Sequence, residues 1–309
     1  MVDVIIPTYK PDQKFLKLMK MLKKQTVAIN QIIIINTEEI YLKRLIDGTD
    51  FFQMYPNTII FHQSKREFDH GKTRNLGASK SKSNFFVCMT QDAVPNNEYV
   101  LEQLLKALSQ EKVAVAYARQ LASDDSTEVE KFTRIFNYPA TSVLKAASDL
   151  PDLGIKTFFC SNVCAAYDRA VFEKLGRFVN NTIFNEDMIF AGKAVNAGYK
   201  IAYVAEAQVI HSHHYSHKEQ FRRNFDLGVS QYDNPQVFAG ISSQSEGIKM
   251  VKLTAKHLKN TGNSRYILNM LIDSAYKLLG YKCGFHYSKI PKRLILRWTM
   301  NPQYWLNNI

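Results

Sequence analysis

Three groups of residues able to hold a cation or move a proton stand where segments of regular structure end. The apolar run Phe85-Phe86-Val87-Cys88-Met89 reads as a buried strand and gives way to Thr90-Gln91-Asp92-Ala93-Val94-Pro95, leaving one carboxylate, Asp92, just past its end. Open α/β sheets bind ligands in the crevice outside the carboxyl ends of their strands. Asn185-Glu186-Asp187 opens a helical pattern, and His211-Ser212-His213-His214 follows a short strand. The pattern is that of an enzyme handling a metal-bound phosphate, with carboxylate and imidazole for the cation and a further carboxylate for the proton.

Positioning these groups takes an alternating α/β core. Val2 to Pro7 reads as a first strand, and Phe15, Leu18, Met19 and Leu22 then recur at helical spacing. Strands Ile32 to Ile35, Thr58 to Phe61 and Phe85 to Met89 follow, separated by helices near Tyr41 to Ile46 and Lys72 to Ser81. Leu101, Leu104, Leu105 and Leu108 mark another helix before the strand Val113 to Ala118. This alternation predicts a doubly wound, mostly parallel sheet flanked by helices. Ser123 to Thr157 is irregular and reads as a substrate-facing loop or lid on the acceptor side. Strands Val163 to Tyr167 and Ile201 to Val204 and helices Arg169 to Leu175 and Asp187 to Ala197 complete the pattern, with Gly198 as a helix stop.

A chain of 309 residues, 46% hydrophobic, can bury one large core with a smaller helical appendage. Its longest apolar runs fall well short of the roughly 20 residues needed to cross a bilayer. The strand at Val2 to Pro7 leaves no room for a secretory leader, so a cytoplasmic location is expected. The four cysteines show no zinc-type spacing and read as reduced core thiols. The net charge of +12 is concentrated at one end: residues 249–309 carry eleven Lys or Arg against the single acid Asp273, a net of +10. That segment is helical in pattern and holds Trp298 and Trp305, which suits docking on an anionic membrane surface. A solvated basic face or a homodimerisation element would look the same. No nucleic-acid motif accompanies the charge, and no nucleic-acid partner is expected.

In order along the chain, Ile5-Ile6-Pro7-Thr8-Tyr9, Gly71-Lys72-Thr73-Arg74-Asn75, Thr90-Gln91-Asp92-Ala93 and Glu186-Asp187 resemble family-two inverting glycosyltransferases of the GT-A fold, over roughly residues 1 to 230. Phe68 to Asn75, His211 to Ser216 and Arg223 to Gly228 are similar to the bacterial rhamnosyltransferase branch. The resemblance implies a GT-A domain over 1–233, with a nucleotide-sugar half to about residue 120 and an acceptor half to 233, and a basic helical region over 234–309.

Within that resemblance Pro7, Thr8 and Tyr9 meet the nucleotide base, and Glu38 stands in for the acidic residues that usually end the second strand. Asp69, His70, Lys72, Arg74 and Asn75, at a loop-to-helix junction, receive the diphosphate. Gln91 and Asp92 occupy the motif that is usually two aspartates around one residue; Thr90 replaces the first, so Asp92 alone carries Mg²⁺ or Mn²⁺ with His211 completing the site. His211 rather than His213 is the ligand read there, and zinc is discounted because the histidine spacing is not that of a closed site. Asp187 is the general base for the acceptor hydroxyl, with Glu186 beside it reaching an acceptor hydroxyl or a backbone cap.

The expected reaction is transfer of L-rhamnose, or a related 6-deoxyhexose, from a dTDP-sugar to a lipid-linked or polysaccharide acceptor with inversion, at the inner face of the cell membrane. Transfer from a UDP-hexose or UDP-galactofuranose is the alternative within the class. A nucleotidyltransferase would need a Gly-rich loop after the first strand, which Pro7-Thr8-Tyr9-Lys10-Pro11 does not supply. A non-enzymatic membrane-surface adaptor would use the basic tail and leave the strand-end carboxylates without a role.

Overall fold

The computed structural model describes residues 1–213, 215–240 and 244–308. The first half alternates as β1 (Val2–Tyr9), α1 (Gln13–Leu22), β2 (Ile29–Thr37), α2 (Glu39–Ile46), α3 (Phe51–Met54), β3 (Thr58–Gln63), α4 (His70–Lys80) and β4 (Phe85–Met89). These strands form because their β-branched runs find apolar cover on both faces. Val4, Ile6, Ile32, Ile34 and Val87 face Phe15 and Leu18 of α1, whereas Ile5, Ile33, Ile35 and Phe86 face Ala78 of α4.

Then follow β5 (Val94–Pro95), α5 (Val100–Leu108), β6 (Val113–Leu121), α6 (Glu128–Asn137), β7 (Val143–Lys145), α7 (Leu150–Leu153), β8 (Cys164–Asp168), α8 (Arg169–Lys174), α9 (Glu186–Asn196) and β9 (Lys200–Ile210). The strands join one sheet in the order β3-β2-β1-β4-β8-β6-β9-β5, with β7 also on β9. The sheet is mixed: β1 runs parallel to β2 and β4, but β8 is antiparallel to both β4 and β6. Strand direction depends on how a long connection crosses the sheet, which periodicity does not encode. The reversal matters, because it sets the start of β8, Cys164, beside the end of β4, Met89.

Residues 123–157 are not the expected irregular loop. They contain α6, whose N-terminus is capped by Thr127 Oγ1 accepting from the Glu130 amide, the edge strand β7, and α7. No side chain of α6 is fully buried, so its apolar signal is diluted; the helix rests partly on the C-terminal region, where Phe132 stacks on His257 at 4.4 Å.

The remainder is helical: α10 (His217–Asp233), α11 (Pro235–Phe238), α12 (Gln244–Asn260), α13 (Ile267–Phe285), α14 (Lys292–Trp298) and α15 (Pro302–Asn308). Among the described residues no helix is long and apolar enough to cross a membrane. α13 lies along α10 at very close range, through glycines on both helices. A Cβ added at Gly280 would stand 2.2 Å from Phe221 O, one at Gly284 1.9 Å from Phe225 O, and one at Gly228 2.3 Å from Tyr281 O. Asp226 of α10 accepts from Thr299 Oγ1 (2.6 Å), the Met300 amide (2.9 Å) and Asn301 Nδ2 (3.3 Å), tying down the chain between α14 and α15. The two tryptophans do not face outward as expected. Trp298 packs edge-on to Phe221 and Phe225, and Trp305 is buried against Tyr287 and Tyr304, because each completes a small core with Ile183, Val229 and Ile295.

Replacing Gly284 by Val should therefore cost about 2–3 kcal/mol by overpacking, read as a lower midpoint in urea unfolding. Gly247→Ala in α12, where an added Cβ meets nothing within 4 Å, should instead stabilise by up to about 1 kcal/mol. A Gly284→Val midpoint equal to that of the wild type would contradict the close α10–α13 packing.

Candidate active site

The carboxyl ends of β1 and β4 lie side by side, and Gln91 locks them together. Its Oε1 accepts from the Tyr9 amide and its Nε2 donates to Tyr9 O, both at 2.9 Å. The side-chain amide of Gln91 is thus engaged with Tyr9 rather than presented to a ligand, a correction to its expected role. Thr8 is buried, with Oγ1 donating to Asn36 Oδ1, while Pro7 and Tyr9 are half-buried. Glu38 accepts from the Lys65 amide at 2.6 Å. Around the Tyr9 ring stand Tyr41, edge-on at 5.6 Å, and the ammonium groups of Lys10 and Lys65 at 5.4 and 5.6 Å. Tyr41, Lys10 and Lys65 went unread in the sequence, because residues of three separate segments converge there. The resulting aromatic and cationic patch suits a flat, electron-rich ring next to phosphate.

At the start of α4, Asp69 caps the helix, with Oδ1 accepting from the Lys72 amide at 2.7 Å and Oδ2 from the Thr182 amide at 2.9 Å. Asn75 donates to Phe178 O and Asn180 Oδ1 and accepts from the Phe178 amide. Both residues therefore tie α4 to the segment 178–182 and are not turned toward a diphosphate, contrary to expectation. Lys72 is exposed. His70 sits between Phe68 and Phe184, and burial, outweighing the nearby Glu186 carboxylate, holds its imidazole neutral with a pKa of about 4.

Arg74 is the main correction. It is buried, and its guanidinium turns inward to Glu186 Oε1 at 3.1 Å and His70 O at 3.1 Å instead of outward to phosphate. Glu186 is buried as well; its carboxylate accepts from Asn162 Nδ2 at 2.9 Å and from its own backbone amide at the start of α9. Burial opposes its charge, but Arg74 and the hydrogen bond from Asn162 hold its pKa below the ordinary range.

Successive residues on a helix point about 100° apart. With Glu186 drawn inward, Asp187 faces the crevice and is only half-buried. Its Oδ2 accepts from the Asn162 amide and its Oδ1 from the Met188 amide, each at 2.8 Å. Burial first, then the charge of Glu186, push its pKa up to about 7. Asn185, the residue before, takes the left-handed conformation that starts α9, with φ at 65°. Asn162 enters β8 beside the end of β4, where the Thr90 amide donates to Val163 O, so Asp187 belongs to the same crevice as Asp92.

On the other side of Asp92, β9 ends next to β6, and the His211 amide donates to Leu121 O. Asp92 Oδ1 lies 3.6 Å from His211 Nε2 and Asp92 Oδ2 lies 3.6 Å from His213 Nε2. Gln120 settles the protonation of His211. Gln120 Oε1 accepts from Arg134, which can only donate, so His211 Nδ1 at 3.1 Å from that oxygen must carry the ring proton. His211 Nε2 is then a bare lone pair facing a carboxylate. Burial, reinforced by the positive charges of Arg134, Arg223 and Lys14, pushes the pKa of His211 well down; burial likewise lowers His213 despite Asp92. Acceptors that face one another repel unless a cation lies between them. The three ligand atoms lie within 4.8 Å of one another, so a side-chain adjustment of a few tenths of an ångström brings them to the spacing of about 4.2 Å or less that atoms held about 2.1 Å from one ion take. The set fits one divalent cation, with His213 joining the expected Asp92 and His211. His214 lies outside the described residues.

One further cation borders the crevice. Arg223 of α10 stacks over Phe184 at 4.7 Å and stands 5.7 Å from the Tyr215 ring, which in turn stacks on His213. It links the Asp92 side to the His70 side, and among the described residues no carboxylate forms an ion pair with it. Its place on α10 only becomes meaningful once Phe184 and Tyr215 are brought to it.

Residues 3–176 match the sequence profile described as glycosyl transferase family 2. The chain is 39% identical to the O-antigen chain rhamnosyltransferase WbaN of Salmonella anatum, over 99% of this chain and 96% of that protein. It is 35% identical to the O-antigen chain rhamnosyltransferase RfbN of Salmonella typhimurium, over 100% and 96%. In fold it is similar to the mannosyltransferase PcManGT from Pyrobaculum calidifontis, solved with GDP-Man and Mn²⁺ (TM-score 0.57, 14% identity, 99% of this chain and 86% of that one). It is also similar to residues 1–349 of S. aureus TarS (TM-score 0.52, 12% identity, 93% and 91%). With its mixed GT-A sheet, its strand-end carboxylate and histidines and its helix-start acid, the chain belongs to glycosyl transferase family 2.

Proposed function

We propose that this glycosyltransferase moves L-rhamnose, or a related 6-deoxyhexose, from a dTDP-sugar to a lipid-linked or polysaccharide acceptor with inversion, on the cytoplasmic face of a membrane. The sugar is supported by the names of the two Salmonella relatives; the direct-displacement mechanism is supported by Asp187. It is the carboxylate that Arg74 and Asn162 leave facing the crevice, held by two backbone amides and poised near neutrality.

In this reading an acceptor hydroxyl donates its proton to Asp187 while its oxygen attacks the anomeric carbon. The bond to the nucleoside diphosphate breaks on the opposite face of the sugar. Asp92, His211 and His213 would hold Mg²⁺ or Mn²⁺, which when bound neutralises charge on a diphosphate. Arg223 and Lys72 add positive charge at the crevice, and the patch of Tyr9, Tyr41, Lys10 and Lys65 takes the base. The buried Arg74–Glu186 pair does not touch substrate; it aims α9.

Three measurements test this. Asp187→Asn should lower turnover by about 10²-fold or more with calorimetric dTDP binding nearly unchanged, whereas Glu186→Gln, by stranding Arg74, should cost about 3–5 kcal/mol of stability. Near wild-type turnover by Asp187→Asn would remove it as the base. Because Asp187 accepts a proton only when ionised, kcat/KM in the wild type should climb as pH rises through about 7 and then level; a profile flat from acid to neutral pH would contradict the assignment.

Asp92→Asn should weaken Mn²⁺ binding, followed by the paramagnetic resonance of free Mn²⁺, by about ten-fold or more, and weaken dTDP binding with it. Unaltered dTDP affinity in the variant and in excess chelator would argue against a cation at this site. In direct competition dTDP-rhamnose should be used in preference to UDP-hexoses by about 10–100-fold. Equal use of a UDP-hexose or UDP-galactofuranose would favour that alternative donor.

A further inference from the structure

The basic C-terminal region has its tryptophans turned inward, yet it presents an apolar surface elsewhere. α13 is 19 residues long, about 28 Å at 1.5 Å per residue. One face, with Met270, Gly280 and Gly284, is buried, the two glycines directly against α10. The opposite face carries Leu268, Leu271, Ile272, Leu278 and Leu279 at helical spacing, and all are exposed: Leu268 by 70% and Leu279 by 56%. A helix that is apolar all round is ordinarily covered on every side. Here one side is open to whatever the protein meets, and an exposed apolar strip of this kind marks an interaction surface.

The charges around the strip say what covers it. Lys282 lies within the exposed face, Arg265 precedes the helix, and Lys289, Lys292 and Arg293 follow it. α12, which touches α13, exposes Lys249, Lys252, Lys256 and Lys259. The only acid of α13, Asp273, is engaged with His217. A second copy of this chain fits poorly: an antiparallel pairing would bring Lys282 toward Arg265 of the other copy, and a parallel pairing would set Lys282 on Lys282. An acidic protein would match the charge, but a row of leucines lacks the tryptophan, tyrosine and arginine anchors on which protein contacts depend. An anionic lipid surface accepts both features, taking the leucines among its acyl chains and the lysines at its headgroups.

We propose that the outer face of α13 lies on an anionic phospholipid bilayer, with the lysines of α12 and the basic residues after α13 at the headgroups. The idea extends the membrane-surface reading above, and it gives the crevice a fixed bearing on a lipid-linked acceptor. It is tested with the full chain by co-sedimentation with phosphatidylethanolamine–phosphatidylglycerol vesicles and with phosphatidylcholine vesicles. The wild type should bind the anionic vesicles, ignore the neutral ones, and come off as salt rises.

The double variant Leu268→Gln/Leu279→Gln should partition about ten-fold or more weakly while keeping its melting temperature, since both side chains are already exposed. The triple variant Lys252→Gln/Lys256→Gln/Lys259→Gln should bind less and lose its salt dependence. Equal binding to both vesicle types, no binding at all, or wild-type binding by the leucine variant would overturn the proposal. So would a wild-type dimer that the leucine variant converts to a monomer in light scattering. Thermal stabilisation by dTDP-rhamnose, measured on the same proteins, separates the two ideas: its absence from the wild type would count against the donor and leave the vesicle result standing.

Discussion

The buried ion pair between Arg74 and Glu186 is the interaction on which the crevice depends. Each partner alone in that environment would be a charge without water, at a cost of several kcal/mol, so the pair behaves as a unit that joins the N-terminal half of α4 to the start of α9. Such a pair contributes little net stability compared with apolar residues of the same size. What it contributes is direction. With Glu186 held inward by Arg74 and Asn162, the next residue of the helix has to look outward. The same pair then acts on Asp187 electrostatically, because the fixed negative charge of Glu186 makes the neighbouring carboxylate harder to ionise. Burial and the charge of Glu186 raise Asp187, whereas at Glu186 the guanidinium outweighs burial, so two adjacent acids titrate in opposite directions.

A comparable division of labour governs the candidate cation site. Asp92, His211 and His213 supply acceptors, and the layer behind them decides how those acceptors are presented. Arg134 orients Gln120, Gln120 orients His211, and the histidine is left with its lone pair toward the carboxylate. Groups behind metal ligands commonly act in this way. Thr90 leaves one carboxylate at the end of β4, and the two imidazoles stand beside it. Gln91, between Thr90 and Asp92, stitches the ends of β1 and β4 together, so that the aromatic and cationic patch around Tyr9 and the acceptor cluster around Asp92 keep a fixed distance.

The C-terminal helices belong to the same design. Backbone-to-backbone contact between α10 and α13 leaves no space for a side chain at Gly228, Gly280 or Gly284, and Asp226 holds the following segment. α10 also carries Arg223 to the crevice. Anything that displaces α13 is therefore transmitted to a helix that borders the site, through contacts too short to slide.

Much of this was legible in the residues themselves. Runs such as Ile32 to Ile35 and Phe85 to Met89 specify strands buried on both faces, helical spacing specifies α1, α4, α5 and α9, and the order of short motifs along the chain indicated the family. The acids Asp92 and Asp187 could be singled out because they stand at the ends of such elements, a local property. What the local pattern does not contain is which neighbour a side chain meets. Arg74 and Asn75 look like phosphate ligands, Trp298 and Trp305 like interfacial anchors, and Ser123 to Thr157 like a loop, until partners from other elements are supplied. Arg74 then finds Glu186, Asn75 finds Phe178, the tryptophans find α10 and Tyr287, and α6 finds α12. Element type follows from periodicity along the chain, whereas the direction of β8, the inward turn of Glu186 and the exposed face of α13 follow from burial, which is decided only when all elements pack at once.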